Sequence, residues 1–305
     1  MKKANINLFI VGAAKCGTTS LYNYLAQHQE VFFPQVKEPN YYSSVESRIK
    51  EHYIKPRPQK FYQYKIIRSP EIYFSLFDES KIHKIVGESS TSYLWDKDAA
   101  LNIHNDFPEA KIIIMLRNPI KRAFSHYLML RKSGQEKETD FYEALKTDKK
   151  REPKFWGKGA FLYEDLGFYY TQIERYYKVF KKENIKVIIF EDFVENAKKG
   201  LLDVFQFLQI DESKIEEVDF NRKHNQFLAH KSDLSRTMLQ IINKAGSFKN
   251  LVPISLRNSI KERVFFKNDS KPKMCNESQK YLKEVFNKEI LKLEELLNID
   301  LKIWK

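Results

Sequence analysis

The sequence predicts an α/β fold, a single domain built on a parallel β-sheet flanked by helices. Three observations point to it. Four short runs are apolar throughout: Asn7–Val11, Lys84–Val86, Lys111–Leu116 and Ile185–Phe190. Such runs suit parallel strands covered on both faces. Amphipathic helical patterns separate them, and strands alternating with helices build layered α/β domains. The first run also ends in a glycine loop that leads straight into a helical pattern, the start of a βαβ unit.

Taken in order, NLFIV stops at Gly12, and Thr18 or Thr19 can cap a helix through SLYNYLAQH. The second run leads into GESSTSYLW, and the third, KIIIML, precedes a helix over Ile120–Lys132. A helical pattern over Tyr169–Lys182 precedes the fourth run. The chain ends in a charged amphipathic helix, Ser278–Leu297, with Leu282, Val285, Phe286, Ile290, Leu293 and Leu297 at helical spacing. Two segments, 44–68 and 135–163, are long for connections in a compact domain. Plain surface insertions or lids over an acceptor site would both account for them.

Composition narrows the functional classes. The 305 residues allow one large domain or two small ones, and a 42% hydrophobic fraction supports a sizeable core. The two cysteines, Cys16 and Cys275, form no disulfide framework and suit a reducing compartment. No run approaches the length of a membrane span, and residues 1–30 hold no signal-peptide core. A cytoplasmic protein is the expectation. The formal net charge of +13 is spread along the chain. It is compatible with a lysine-coated surface, a nucleic-acid partner, an anionic cofactor or acceptor, or contact with a membrane surface.

The chemistry is concentrated in VGAAKCGTTS, Val11–Ser20. A triphosphate-binding loop reads G-x-x-x-x-G-K-S/T, with lysine directly after the second glycine. Here Gly12 and Gly17 keep that spacing, Thr18, Thr19 and Ser20 follow, and the lysine has moved inside the loop to Lys15. A helix N-terminus holds a phosphate through unpaired N–H groups. Lys15 would then lie beside the group attached to that phosphate, where a leaving oxygen gains charge.

AAKCGTTSLYNYL resembles the 5′-phosphosulfate loop of sulfotransferases that use 3′-phosphoadenosine 5′-phosphosulfate (PAPS). IIIMLRNPIKRAFSHY, Ile112–Tyr127, resembles the 3′-phosphate segment of the same family, with Arg117 and Ser125 at the matching positions. PQVKEPNYY, KIVGESSTSYLW, IKVIIFEDF and LEELLNIDLKIW are similar to further family segments, so the resemblance covers most of the chain. The pattern is closest to bacterial and heparan-sulfate-type carbohydrate enzymes. It implies a P-loop-type, sulfotransferase-like fold. It also implies PAPS as co-substrate, 3′,5′-diphosphoadenosine (PAP) as product and no metal.

Sulfuryl transfer is an in-line displacement with three tasks. Lys15 and the amides of Cys16, Gly17 and Thr18, with Thr19 and Ser20, would receive the leaving phosphate. Arg117 and Ser125 would grip the 3′-phosphate, and Lys223 in FNRKHN is a looser match on the nucleotide's 3′ side. For the base, Glu38, Glu88 and His126 are candidates. The resemblance favours Glu38, gives Glu88 a role in orienting Lys15 or the acceptor, and leaves His126 structural. Ser89 stands where heparan-type enzymes usually carry a lysine, and Lys37 could supply charge nearby. Cys16 sits where a helix N-terminus would lower a thiol's pKa, yet the family transfers directly, so it is read as a small loop residue.

The implied acceptor is a hydroxyl, of a carbohydrate foremost. A small-molecule or polyketide alcohol and a protein tyrosine are the alternatives. A P-loop kinase is disfavoured because no lysine follows Gly17 and no magnesium-binding aspartate stands out after a strand. A nucleic-acid-binding protein lacks a recognition motif. Oligomeric state is not readable.

Overall fold

Five parallel strands form the central sheet of the computed structural model. The structure describes residues 4–46, 62–63, 66–150, 156, 161–221, 229–230, 266–267 and 272–304. In chain order the strands are β1 (Leu8–Gly12), β2 (Val31–Phe32), β3 (Val36–Lys37), β4 (Tyr62–Gln63), β5 (Ile85–Ser89), β6 (Lys111–Leu116) and β7 (Ile185–Ile189). The sheet runs β2-β5-β1-β6-β7. Phe9 of β1 stands opposite Glu88 of β5 on one side and Ile112 of β6 on the other. The pairs β3–β4 and β8–β9 (Ala229–His230 and Phe266–Lys267) stand apart from it.

The interior strands read as continuous apolar runs because both faces are covered. All five residues of β1 are buried, as are Ile112 to Leu116 of β6. At the edge, β7 buries Ile185 and Ile188 and leaves Lys186, Val187 and Ile189 partly exposed. The second strand extends beyond the apolar run: β5 continues through Gly87, Glu88 and Ser89, all buried. Gly87 is required there because a Cβ would meet the Phe33 ring at 2.4 Å.

The helices are α1 (Thr18–Leu25), α2 (Pro70–Ser75), α3 (Ser92–Trp95), α4 (Ala99–Asp106), α5 (Pro119–Lys132), α6 (Phe141–Asp148), α7 (Tyr169–Val179), α8 (Phe190–Glu195), α9 (Ala197–Leu208) and α10 (Asn276–Leu297). Residue chemistry sets their ends. Asn118 caps α5, accepting from the amides of Ile120 and Lys121, with Pro119 at the first position. Ser69 and Pro70 repeat that device at α2. The last helix, α10, buries Leu282, Phe286, Ile290 and Leu293, while Val285 and Leu297 pack on the core partly exposed. Its C-terminal Asn298 takes the left-handed conformation that terminates helices.

Two expectations are revised, and a third falls largely outside the described residues. The helical pattern over Tyr169–Lys182 stops at Val179 and is followed by a separate 3-10 turn at Lys182–Asn184. The segment 135–163 contains α6, capped by Asp140, so it is not a plain connection. Most of the segment 44–68 lies outside the described residues. Among the described residues no helix is long and apolar enough to cross a membrane.

Candidate active site

Lys15, Glu88 and Arg117 lie at or just after the ends of β1, β5 and β6. In parallel α/β sheets ligands bind outside the carboxyl ends of the strands.

The glycine loop bridges β1 and α1. Lys15 has φ 70°, and Gly17 has φ 91° as the residue before the helix. A Cβ on Gly17 would meet the Phe190 ring at 2.7 Å, so both backbone freedom and space call for glycine. The Ala13 amide donates to Met115 O at 2.7 Å and ties the loop to β6. The Cys16 amide donates to Ala13 O, while those of Ser20 and Leu21 donate to Gly17 O. No side chain caps α1. The first-turn N–H groups of Thr18 and Thr19 are therefore suited to an anion. Thr18 is buried, and Lys15, Thr19 and Ser20 are partly exposed.

Arg117 follows β6 and joins the two sequence motifs in space. Its Nη1 donates to Lys15 O at 3.3 Å, and its guanidinium lies 4.8 Å from the centre of the Phe190 ring. Its Nε is buried and has no hydrogen-bond partner among the described residues. Ser125 is partly exposed in the second turn of α5. Lys223 lies outside the described residues.

Cys16 is fully buried, its Sγ 3.6 Å from the Tyr169 hydroxyl, and that hydroxyl donates to Arg117 O at 2.9 Å. Burial pushes the thiol up to about 11 against the opposing pull of Arg122 and a hydrogen bond from Tyr169. Desolvation thus overrides the helix N-terminus, and the side chain remains a neutral thiol. His126 is buried with its ring centre 5.5 Å from that of Tyr163, a packing position on α5.

The two glutamates form the second half of the site. Glu38 follows β3 with φ 59° and is 2% exposed. Its amide donates to Ser89 O at 3.0 Å. One carboxylate oxygen accepts from Lys37 Nζ at 2.7 Å, and the other from Thr91 Oγ1 at 3.3 Å. Glu88 is fully buried, and its Oε2 accepts from Tyr93 at 2.5 Å and Tyr73 at 3.1 Å. Burial pushes Glu88 up to about 7, the tyrosine hydrogen bonds oppose that rise, and the Glu38 charge adds to it. Burial thus favours the protonated form of Glu88, and beside it Glu38 pairs with Lys37.

Sequence reasoning missed the group that binds this half together. Asn40 has φ 53°; its Nδ2 donates to Glu38 O at 2.5 Å, and its Oδ1 accepts from Ser92 Oγ at 2.6 Å. Its amide donates to Ser90 Oγ at 3.0 Å. The polar run SSTS after β5 was the available signal, because four small hydroxyl residues behind a buried strand need partners. Non-glycine residues in the left-handed region carry strain on the order of 1–3 kcal/mol each. Two such residues, Gln209 and Asn298, are helix caps, while Lys15, Glu38 and Asn40 gather at this site.

Residues 7–214 match a family model described as the sulfotransferase family. A mouse protein, carbohydrate sulfotransferase 15, is 28% identical over 253 aligned positions, covering 67% of this chain and 44% of the relative. The chain thus spans less than half the length of that relative. A membrane-associated sulfotransferase of Dictyostelium discoideum is 28% identical over 121 positions, covering 40% of this chain and 22% of the relative. The crystal structure of a sulfotransferase from Alicyclobacillus acidocaldarius superposes with a TM-score of 0.71 at 29% identity, covering 99% of both chains.

Proposed function

Since the chain belongs to the sulfotransferase family, we propose that it moves the sulfuryl group of PAPS to an acceptor hydroxyl of a carbohydrate. The observation that carries this reading is the meeting of Arg117 with the Lys15 backbone at the mouth of a helix lacking a side-chain cap. Two cationic residues, Lys15 and Arg117, and the first-turn amides of a helix with no side-chain cap suit a nucleotide bearing phosphates at two ends. The buried Arg117 Nε, without a partner among the described residues, is a donor such a phosphate would satisfy.

Each residue then has a task. Lys15 and the first-turn amides of α1 meet the charge that grows on the leaving phosphate oxygen. Arg117 and Ser125 hold the 3′-phosphate, and Lys223 is a further candidate on that side. Glu38 accepts the acceptor's proton as its oxygen bonds to sulfur and the bond from sulfur to the phosphate oxygen breaks. Lys37 and Thr91 hold the Glu38 carboxylate in place through hydrogen bonds to its two oxygens. Glu88 lies behind it and shapes the local field. The reaction so described needs no metal.

Incubation with sulfur-labelled PAPS and a panel of carbohydrate, phenol and alkyl-alcohol acceptors tests the reading. Label should move to a carbohydrate hydroxyl with release of PAP. Label moving only to phenols or alkyl alcohols would overturn the carbohydrate assignment. No transfer to any acceptor would overturn the activity.

A further inference from the structure

A cavity of about 400 Å³ lies at the C-terminal end of α3, lined by Trp95, Asp98, Asp165, Gln172, Thr171 and Arg175 among others. Its size falls within the roughly 300–1,000 Å³ of small-molecule sites. The cavity is joined to the reaction centre through α3. Thr91, which binds the Glu38 carboxylate, directly precedes that helix, and Trp95 ends it. Four residues of helix rise about 6 Å. Ala14 of the glycine loop and Trp95 both pack against the cluster that holds Trp156. The wall of the cavity is therefore continuous, through α3 and this cluster, with the segments that carry the proposed base and the donor loop.

Its wall is firmly built. Trp95 stacks on buried Trp156, ring centres 6.0 Å apart and planes 24° apart. Arg175 holds the end of α3, donating to Leu94 O and Trp95 O at 3.0 Å each. Asp96 is consumed by the wall: one oxygen accepts from the Ser44 amide and hydroxyl, the other from the amides of Asp98 and Ala99. A partly exposed indole backed by a second indole offers a rigid apolar platform, and carboxylates and an amide stand around it. That combination matches a pyranose, which has an apolar C–H face and a rim of hydroxyls.

The charge of the wall discriminates further. Asp96, Asp98 and Asp165 outnumber Lys97 and Arg175, so the lining is net negative in a chain whose formal net charge is +13. A uronate or sulfated sugar would meet like charge here, which interfaces select against. We propose that this cavity is an acceptor subsite for a neutral hexose or N-acetylhexosamine unit adjoining the one that is sulfated. The proposal rests on the sulfotransferase reading.

The test measures binding rather than turnover. Chitotriose and cellotriose serve as neutral probes, and a chondroitin hexasaccharide as the uronate probe. Each is titrated into the PAP-saturated protein and followed by tryptophan fluorescence and saturation-transfer NMR. A neutral trisaccharide should bind more tightly than the hexasaccharide. Trp95→Ala should weaken it about tenfold, as loss of an aromatic anchor does, and Trp95→Phe should restore part of the loss. Thr171→Trp, at an exposed position on the rim, should block the sugar without touching the core. PAP affinity should remain unchanged in all three variants. Tighter binding of the hexasaccharide, no binding of either neutral probe, or neutral binding indifferent to both Trp95→Ala and Thr171→Trp would overturn the subsite. Failure of the unmutated protein to bind PAP would instead overturn the sulfotransferase reading beneath it.

Discussion

The two halves of the site are built in different ways. The donor half is mostly backbone: a glycine loop, a helix start and one arginine after a strand, drawn from 12–20 and 117–125. The base half is mostly side chains: Glu38, Asn40, Tyr73, Glu88, Thr91, Ser92 and Tyr93 come from three local segments and meet through hydrogen bonds. A backbone site needs small residues at fixed spacing and leaves a motif. A side-chain network needs only partners that fit. Donor affinity should therefore depend on few residues and turnover on many, and the two should be separable by mutation.

The largest separation is expected at Glu38. Glu38→Gln keeps the shape but removes proton acceptance, and the transfer rate should fall about 10²- to 10⁴-fold. PAP affinity should stay within about twofold, since every donor contact proposed here lies on other residues. Titration calorimetry and single-turnover rates check both numbers. Equal loss of both would mean that the base half also organises the donor loop.

Lys15→Ala approaches the same boundary from the donor side. The ammonium acts on charge that develops during transfer, so its loss should lower kcat by about 10²- to 10³-fold. Donor affinity should fall much less. A loss confined to KM would place Lys15 in uniform ground-state binding.

Glu88 makes the base half pH-sensitive in stability. Its folded pKa, about 7, lies above the ordinary 4.5. Between those values the unfolded chain has released the proton and the folded chain retains it. Stability should thus fall as pH rises from about 4.5 to about 7 and level off above, by at most about 3 kcal/mol. Urea titrations of the parent and Glu88→Gln across that range check the sign. The variant should lose most of the slope, and an unchanged slope would locate the linkage elsewhere.

The smallest effect is expected at Cys16. The neutral, buried thiol fills space and makes only long hydrogen-bond contacts, to Tyr169 and to Ala14 O. Cys16→Ala should keep transfer within about threefold, with a stability loss near 1 kcal/mol. A folded but inactive variant would require a chemical role for the sulfur.

The same contrast explains how much the sequence disclosed. KIIIML reads as a buried strand because nothing polar interrupts it, and β6 occupies those residues. The end of β5 does not, since Gly87, Glu88 and Ser89 carry no apolar signal; their burial depends on Phe33 and on the tyrosines around Glu88. Lys15 was singled out by the glycine spacing and Arg117 by the family resemblance and its place after a strand, and their contact joins residues 102 positions apart. The Asn40 latch was not, because a lone asparagine beside a proline reads as a turn residue. α6 was hidden by its charged surroundings, though Asp140 was a usable cap.

Central to the account is a donor site that needs no metal, and one measurement addresses it most directly. The protein is unfolded chemically with and without PAP, in the presence of EDTA. At a hundred times its dissociation constant, PAP should stabilise the folded state by about 2.7 kcal/mol. Arg117→Ala should reduce that gain, and less so for an analogue lacking the 3′-phosphate. No stabilisation by millimolar PAP, or stabilisation seen only with ATP and magnesium, would contradict the account.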